Sequence, residues 1–254
     1  MFAKVQPNTQ IIGQNIIYFK QVASTNQVAH DLIRNNMASH GTVLIADYQS
    51  EGRGQYGKSW LSEPFENLMF SLILQPVTKW TTDPFLINKL ITLAMYQQLK
   101  SELPQHQVRI KWPNDILVDG KKICGILVEN NFSGNTLNYS IAGIGLNVNQ
   151  HFEHIQHLNA TSLAGQTGRE INREQLLKSI LERIEDLYLN QSAEDIAKAF
   201  DQALYGSMTS GAFDINGDIV MAKVMGCDKD GCLILEIDGL DKHYPHGSIK
   251  QFIA

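Results

Sequence analysis

Residues 52–60 read GRGQYGKSW, and residues 111–115 read KWPND. The first segment is a glycine-rich loop that carries two cations and ends in the indole of Trp60. The second segment places a lysine and an aspartate on a turn that proline stiffens, directly after a predicted strand. Backbone amides and cations bind phosphates, and an aromatic ring can stack on a base. Together the two segments predict nucleotide chemistry.

The composition is that of a protein that buries a hydrophobic core, since 43% of its 254 residues are hydrophobic and 19% are charged. This length accommodates one large domain, alone or with one small domain. The formal net charge of −5 argues against a general nucleic-acid binder, because such proteins bind through a cationic surface. Any cationic site must therefore be local, and we expect no DNA partner.

The cysteines and the termini indicate a compartment. Cys124, Cys227 and Cys232 are odd in number and lack C-x-x-C spacing, so we expect neither a disulfide framework nor a zinc site. The first ten residues lack the cationic start and apolar stretch of a signal peptide. No apolar run approaches the roughly 20 residues that span a bilayer. We expect a soluble protein of the reducing cytoplasm, without a membrane partner.

Apolar periodicity and turn residues predict strands and helices as far as Leu204. Short apolar runs predict strands at 16–19, 42–46, 67–74, 108–112, 124–129 and 139–148. Helical patterns cover 27–36, 84–99, 172–189 and 193–204, the third with Asn172 as its N-cap. Asp119-Gly120 marks a hairpin turn between the strands at 108–112 and 124–129. Glu182, Glu185 and Asp186 are expected on a solvated helix face.

The character of the sequence changes near its C-terminal end. From Gly211 onward, glycines separate short β-rich runs at 219–224, 233–237 and 248–253. This spacing predicts a small barrel of about 45 residues. We place the boundary near 206–211, so the predicted domains are residues 1–207 and 208–254.

The loop at 52–60 has two other interpretations. Gly52 to Ser59 formally satisfies the Walker A pattern of P-loop NTPases. That mechanism needs a helix to open at the lysine and serine, but Pro64 would fall in its first turns and a strand is predicted next. The loop could instead be an idle surface loop. Glycine, arginine, lysine and tryptophan within nine positions are uncommon in such a loop.

The second segment and its neighbours also leave alternatives open. Lys111 is a compact cation suited to a carboxylate that becomes an acyl phosphate, or a surface lysine at a strand end. Asp115 could ligate Mg²⁺ or close an Asx turn with Asn114. Residues 24–26 (STN) read as a helix N-cap whose polar groups could also bind a small ligand. Residues 143–147 (GIGLN) read as the end of a strand. Their glycines lack side chains, so a ligand could approach the backbone closely there.

Read in order, five segments resemble the biotin–protein ligase family: YFKQVASTN, ADYQSEGRGQYGKSW, KWPNDI, KICGILVE and GIGLNVN. The resemblance extends from about residue 16 to about residue 150, and the C-terminal segment resembles the small SH3-like β-barrel of that family. It implies an α+β fold, with a mixed sheet flanked by helices as in the catalytic core of class II aminoacyl-tRNA synthetases. It also implies two reaction steps. Biotin and Mg-ATP give biotinyl-5′-AMP and pyrophosphate, and the acyl group then passes to a lysine of a carboxylase carrier domain.

The resemblance also implies roles for individual residues. Lys111 and Arg53 are expected to be catalytic, holding the biotin carboxylate against the α-phosphate. The expected biotin site comprises Ser24, Thr25, Asn26, Gln49, Gly52, Arg53, Gly54, Gln55, Lys111 and Gly125. The expected ATP site comprises Arg53, Lys58, Trp60, Lys111 and Asn147, and Asp115 is the candidate Mg²⁺ ligand.

The chain departs from the family pattern in three places. One is its end, where residues 247–252 lack an acid–arginine pair of some members, so no ATP contact is expected there. Many members carry arginines where this chain has Gln55, Tyr56 and Lys58, which lowers the charge of the loop. Bifunctional members have an N-terminal helix-turn-helix domain, whereas this sequence starts close to the catalytic core, so repressor function is not expected. Two alternatives remain: a lipoate–protein ligase with the same adenylate chemistry, and an inactive biotin- or carrier-binding module. A homodimer is a further expectation.

Overall fold

The computed structural model describes residues 2–75, 83–134, 136–152 and 158–253. Within these residues, seven strands form one mixed sheet. In chain order they are β1 Ile16–Phe19, β2 Val43–Ala46, β3 Leu68–Leu74, β4 Val108–Lys111, β5 Asp115–Val118, β6 Lys121–Ser133 and β7 Thr136–Leu146. Their order across the sheet is β1-β2-β3-β7-β6-β5-β4, in which β1 and β2 are parallel and the other pairs antiparallel.

Helices cover both faces of this sheet. They are α1 Thr25–Arg34, α2 Leu86–Glu102, α3 Leu163–Thr167, α4 Arg173–Asn190 and α5 Ala193–Ala203. All of β2 is buried because its alternate side chains enter different hydrophobic clusters. Val43 and Ile45 belong to the large cluster that includes α2 and α4, whereas Leu44 packs with Ala29 of α1. The start of α1 is thereby held above the middle of the sheet.

A second sheet follows, and all its pairings are antiparallel. Its strands are β8 Ser210–Ile215, β9 Asp218–Cys227, β10 Leu233–Ile237, β11 Leu240–Tyr244 and β12 Ile249–Gln251, in the order β11-β10-β9-β8-β12. It begins close to the predicted boundary, but Phe213 and Val224 belong to the same hydrophobic cluster as α2 and α4. The α+β fold is confirmed, and the division into residues 1–207 and 208–254 stays a prediction.

Polar contacts between α2, α5 and β9 join the two sheets. Lys89 of α2 is only 2% exposed, and its Nζ donates to the carbonyls of Cys227 and Asp228, both at 3.0 Å. Asp201 of α5 accepts the Cys227 N–H at 2.9 Å. Because buried polar groups need such partners, these contacts fix how the second sheet sits on the first.

Several element predictions need correction. Asp115 begins a strand, β5, that the sequence did not predict, so Asp119-Gly120 turns β5, and not the strand at 108–112, into β6. The turn itself is as predicted, since Asp119 and Gly120 have φ of 48° and 76°. The pattern also missed β8 and β11, whose residues are mostly intermediate or exposed. Helix α1 begins two residues before the predicted 27–36.

Glu185 does not lie on a solvated helix face as predicted. It is 6% exposed, and its carboxylate accepts backbone N–H groups from Gln10 at 2.5 Å and from Ile11 and Ile12 at 2.8 Å. A charged acceptor satisfies these donors in place of water. Glu185 therefore ties the N-terminal segment to α4.

Candidate active site

A cavity of about 220 Å³ opens between the start of α1, the loop at 52–60, and strands β6 and β7. Eleven predicted site residues line it: Ser24, Thr25, Asn26, Gln49, Arg53, Gly54, Gln55, Lys58, Trp60, Asp115 and Gly125. These residues come from segments up to about a hundred positions apart, which the sheet brings to one face. The two segments that predicted nucleotide chemistry meet in this cavity.

The α1 end of the cavity is polar. Ser24 occupies the N-cap position, but within the described chain its side chain makes no capping hydrogen bond. Gln49 Oε1 accepts from the Thr25 backbone N–H at 2.7 Å and contacts Thr25 Oγ1 at 3.0 Å. Ser71 Oγ lies 2.7 Å from Thr25 Oγ1 and 2.6 Å from Asn26 Oδ1. Thr25 and Asn26 thus form one hydrogen-bonded wall with Gln49 and Ser71, and Ser24 lies beside it.

The loop at 52–60 folds back on itself as a narrow hairpin. Arg53 bridges to Ser59, and Trp60 N–H donates to Gly52 O at 2.9 Å. A β-carbon on Gly52 would lie 2.7 Å from Trp60 O, so the two arms can cross this closely only at glycine. Lys58 has extended backbone, with φ −69° and ψ 145°, and no helix opens there. The P-loop interpretation is therefore excluded.

The indole of Trp60 lies over two glycines that are direct partners in β6 and β7. A β-carbon on Gly145 would lie 2.5 Å from Trp60 Cε2, and one on Gly125 would lie 2.9 Å from Trp60 Cζ3. Only glycine at both positions leaves room for the ring against the strands. The glycine pair is therefore the floor of a slot that holds the indole.

Lys122 lines the cavity, and the sequence reasoning missed it. Its Nζ lies 2.7 Å from Asp115 Oδ1 and 5.4 Å from the centroid of the Trp60 ring, a cation–π distance. The pairing of β5 with β6 slips by one residue between Cys124 and Lys122. This bulge leaves Ile123 and Cys124 both buried in the core and returns Lys122 to the cavity face with Asp115.

Three predicted residues, all of which the structure describes, are not among those that line the cavity: Gly52, Lys111 and Asn147. Gly52 is buried beneath the hairpin. Asn147 is 3% exposed, and its Nδ2 donates to Thr161 O at 3.0 Å. Lys111 is paired directly with Asp115 across β4 and β5, on the same face. Burial lowers the pKa of Lys111, and the charge of Asp115 opposes that shift. The predicted roles of these residues stay predictions.

The second sheet contributes His246 to the cavity wall, from the turn between β11 and β12. The sequence reasoning assigned no ligand contact to this end of the chain. The His246 ring packs edge-on against Trp112, with centroids 5.3 Å apart, and Trp112 Nε1 donates to Gly231 O at 3.0 Å. Burial lowers the pKa of His246, while the charge of Asp115 raises it and that of Lys58 lowers it further.

Two polar atoms in the cavity are buried and lack a hydrogen-bond partner among the described residues: Gln55 Oε1 and Trp60 Nε1. A buried donor or acceptor without a partner is costly, and a ligand or water can satisfy it. One atom accepts and the other donates, so this part of the cavity is matched to polar ligand groups of both kinds.

The cavity is poorly equipped to hold a metal through protein ligands. Across the described residues, no group of three or more His, Cys, Asp or Glu is placed to bind a metal ion. Asp115 is the sole carboxylate among the residues that line the cavity, and Lys122 already neutralises it. Nor is any helix within the described ranges long and apolar enough to cross a membrane.

Comparisons with known proteins agree on one family. The profile of the biotin/lipoate A/B protein ligase family matches residues 18–147. The bifunctional ligase/repressor BirA of Bacillus subtilis is 36% identical over 245 residues, which cover 93% of this chain and 74% of that protein. Biotin–protein ligase 1, chloroplastic, of Arabidopsis thaliana is 30% identical over 204 residues, which cover 76% of this chain and 53% of that protein.

Solved structures resemble the whole fold. A biotin protein ligase from Aquifex aeolicus in complex with biotin and ATP superposes with a TM-score of 0.74 at 27% identity. The match covers 95% of this chain and 100% of that one, so both sheets have counterparts there.

Proposed function

The chain belongs to the biotin/lipoate A/B protein ligase family, and we infer that it is an ATP-dependent biotin–protein ligase. It activates biotin as biotinyl-5′-AMP and transfers the biotinyl group to an acceptor. The observation that supports this best is one cavity lined both by the neutral polar residues Ser24–Asn26 and by three cations, Arg53, Lys58 and Lys122. A neutral cyclic urea suits the first, and a carboxylate with a triphosphate suits the second.

The cations address the main obstacle to the first step. A carboxylate oxygen of biotin must attack the α-phosphorus of ATP while pyrophosphate leaves, and the two anions repel each other. Arg53, Lys58 and Lys122 line the cavity and can hold both anions at reacting distance. Fixed cations also stabilise the charge that develops on the phosphorus oxygens in the transition state.

We assign the contact between carboxylate and α-phosphate to Lys122, in place of the predicted Lys111. Lys122 Nζ is held between Asp115 and the Trp60 ring, so its position is set before ligands arrive. Lys111 lies one strand further out, and its charge adds to the field around Asp115. Arg53 keeps its predicted role as the second cation.

Trp60 is proposed as the surface beside which adenine stacks, because its ring is already oriented by the Gly125–Gly145 floor. Gln55, with its unpartnered Oε1, is proposed to contact the ligands from the tip of the loop. Gly52 is proposed to act through the shape of the hairpin, and Asn147 through the segment it holds at Thr161.

Magnesium enters this proposal as part of the substrate Mg-ATP. Asp115 stays the predicted protein ligand for that Mg²⁺, and Lys122 Nζ lies 2.7 Å from its Oδ1. Mg²⁺ is commonly bound by one or two carboxylates together with substrate phosphates.

We further propose that the acceptor is a lysine of a carboxylase carrier domain and that the protein works in the cytoplasm. A homodimer stays a prediction.

The proposal is tested by incubating the protein with Mg-ATP and either biotin or lipoate, and then analysing the bound ligand by mass spectrometry. We expect biotinyl-AMP and release of pyrophosphate with biotin, and no adenylate with lipoate. Lipoyl-AMP as the main product would favour the lipoate ligase, and no adenylate from either acid would favour an inactive binding module.

A further inference from the structure

Glu129 of β6 lies outside the cavity wall but touches a residue that forms it. Its Oε2 accepts a hydrogen bond from Asn26 Nδ2 at 2.6 Å. His30, one turn further along α1, approaches the same oxygen at 3.5 Å. The Glu129 side chain is 39% exposed, so it is not a core residue that the fold needs for packing. We therefore look for the role of Glu129 in its contact with Asn26 and not in packing.

The Asn26 amide has a donor end, Nδ2, and an acceptor end, Oδ1. The hydrogen-bonding groups next to the amide, Glu129 and Ser71, determine the orientation of these two ends. An ionised carboxylate can only accept a hydrogen bond, so the amide must turn its NH₂ group to Glu129. Asn26 Oδ1 then lies 2.6 Å from Ser71 Oγ, and two oxygens this close need a proton between them. Ser71 supplies that proton, because Asn26 Oδ1 has none.

The next group in this hydrogen-bonded series, after Ser71, is the Thr25 hydroxyl. Once Ser71 has donated to Asn26, the single Thr25 hydroxyl proton has two acceptors in reach, Gln49 Oε1 at 3.0 Å and Ser71 Oγ at 2.7 Å. The Thr25 proton is thereby committed inside the protein. One acidic group outside the cavity thus sets which atoms of Asn26 and Ser71 donate and which accept.

Gly143 defines where Asn26 Oδ1 sits. A β-carbon on Gly143 would collide with Asn26 Oδ1, and both residues line the cavity. The amide oxygen is therefore held over bare backbone at the cavity floor. It has a second lone pair in addition to the one that Ser71 uses.

We propose that Glu129 is a positioning residue for ligand recognition, which turns the Asn26 amide so that an oxygen acceptor, and not an N–H donor, faces the bound ligand. The matching ligand group is an N–H donor. This rests on the proposed function, because the ureido ring of biotin carries two such donors. If the Asn26 amide were reversed, its NH₂ group would face an N–H group of the ligand, and two donors cannot form a hydrogen bond.

The test measures the biotin dissociation constant by calorimetry for a series at position 129. Glu129→Gln can still accept from Asn26 through its amide oxygen, and we expect a loss within about threefold. Glu129→Lys offers only donors, so it turns the Asn26 oxygen away from the cavity, and we expect binding at least about tenfold weaker. Glu129→Ala removes the acceptor without adding charge and should fall between these two.

A double variant that moves the carboxylate to position 26 and the donor to position 129 should restore biotin binding. A merely structural role of Glu129 would not predict this recovery. In Asn26→Asp combined with Glu129→Lys, the lysine pairs with one carboxylate oxygen and the other accepts from Ser71 again. We expect biotin affinity to return to within about threefold of wild type. Glu236→Lys, a charge reversal on β10 in the second sheet, controls for the change in net charge and should leave affinity unchanged.

The outcomes separate two failures. If wild-type protein binds no biotin, the proposed function itself is wrong. If wild type binds biotin but Glu129→Lys and Glu129→Ala bind it equally well, the role of Glu129 is overturned. Failure of the double variant to recover, in a protein whose thermal unfolding midpoint matches that of Glu129→Lys, would also overturn it. Should Glu129→Lys not fold, Glu129→Ala against Glu129→Gln decides in the same way.

Discussion

At the scale of single residues, the bulge in β6 decides which lysine reaches the cavity. With regular pairing, alternate residues of a strand face opposite sides, so Lys122 would face away from Gly125, three positions further on. The slip next to Cys124 reverses that direction and sets Lys122 against Asp115. Lys111, on a regular strand, stays beside Asp115 but outside the cavity wall.

This geometry predicts unequal losses for two otherwise similar lysine variants. Lys122→Ala should reduce the rate of biotinyl-AMP formation by about 10²–10³, because it removes a preorganised charge at the reacting atoms. Lys111→Ala should reduce that rate by less than about tenfold, because Lys111 is not among the residues that line the cavity. Single-turnover release of pyrophosphate measures both rates. Equal losses, or a larger loss for Lys111→Ala, would return the catalytic role to Lys111.

Gln55 sits at the tip of the loop, and its Oε1 has no partner among the described residues. The family resemblance implies arginine as a common alternative at this position. A charge-assisted hydrogen bond is roughly twice as strong as a neutral one, so an arginine should retain the adenylate better. We expect Gln55→Arg to release biotinyl-AMP about threefold to tenfold more slowly than the natural protein. Release is measured by filtration after adenylate formation.

A control variant separates charge from size at position 55. Gln55→Met has similar length but offers no strong hydrogen bond, and it should release the adenylate at least as fast as wild type. Release from Gln55→Arg at the natural rate, or faster, would show that Arg53 and Lys58 already compensate for the missing charge.

At the scale of elements, the sequence predicted best where burial is complete. Strands β2 and β3 are continuous apolar runs because helices cover both sides, and their predicted bounds hold within one residue. Strand β5 was missed because its four residues lie between two turn signals, Trp112-Pro113-Asn114 and Asp119-Gly120, which leave too short a run to show a pattern. Strand β11 was missed because four of its five residues are exposed and polarity hides the pattern.

The site was predictable to the extent that its residues lie in local motifs. Residues 24–26 and the loop at 52–60 combine special side chains within a few positions, and the structure brings most of them into one cavity. Lys122 depends on a strand bulge, and His246 reaches the cavity from another sheet. Neither arrangement produces a periodic sequence pattern, although Lys122 stands two residues before the strand predicted at 124–129.

The paired glycines of β6 and β7 give a prediction at the same scale. A methyl group on Gly145 would lie 2.5 Å from Trp60 Cε2, so Gly145→Ala must push the indole out of its slot. We expect ATP affinity to fall about tenfold, because stacking on a base contributes roughly 1–3 kcal/mol. Calorimetry with ATP measures the affinity, and Trp60 fluorescence reports the displaced ring.

Gly211→Ala is the matched control for this substitution. Gly211 also lies in a strand, and its nearest neighbour would be Phe213 Cε2 at 3.9 Å, an ordinary contact. We expect it to bind ATP like wild type. If Gly145→Ala does so as well, Trp60 does not depend on the glycine floor for its orientation.

At the scale of the whole molecule, the second sheet is both a support and a part of the site. Lys89 and Asp201 bind its β9 end to α2 and α5, and its far turn carries His246 into the cavity wall. Lys89 is buried and Asp201 is half-buried in this junction, so the ionisation of Asp201 is coupled to folding. The stability of the molecule should therefore vary with pH through this junction.

Asp201 sets the direction of that dependence. Burial raises the pKa of Asp201 from its ordinary 3.8 to about 6, although Lys89 and the Cys227 amide both favour the charged form. Between about pH 4 and 6 the folded protein therefore keeps a proton that the unfolded chain has released. Because the folded state binds more protons in this window, the free energy of unfolding falls as pH rises through it and stays lower above it.

Replacing Asp201 by asparagine tests this coupling, because Asp201→Asn keeps an oxygen for the Cys227 N–H and cannot ionise. At about pH 7.5 we expect it to be more stable than wild type by about 1–2 kcal/mol, a value reduced for the partial exposure of the carboxyl. At about pH 4.5 the gain should be clearly smaller, and it vanishes only below about pH 3, where Asp201 is protonated in the folded and the unfolded state alike. Urea unfolding at both pH values measures the difference, with Asp230→Asn in the exposed β9–β10 loop as the control. A gain that is the same at both pH values, or a loss at the higher one, would mean that the ionised carboxylate stabilises the junction through Lys89 more than its burial costs.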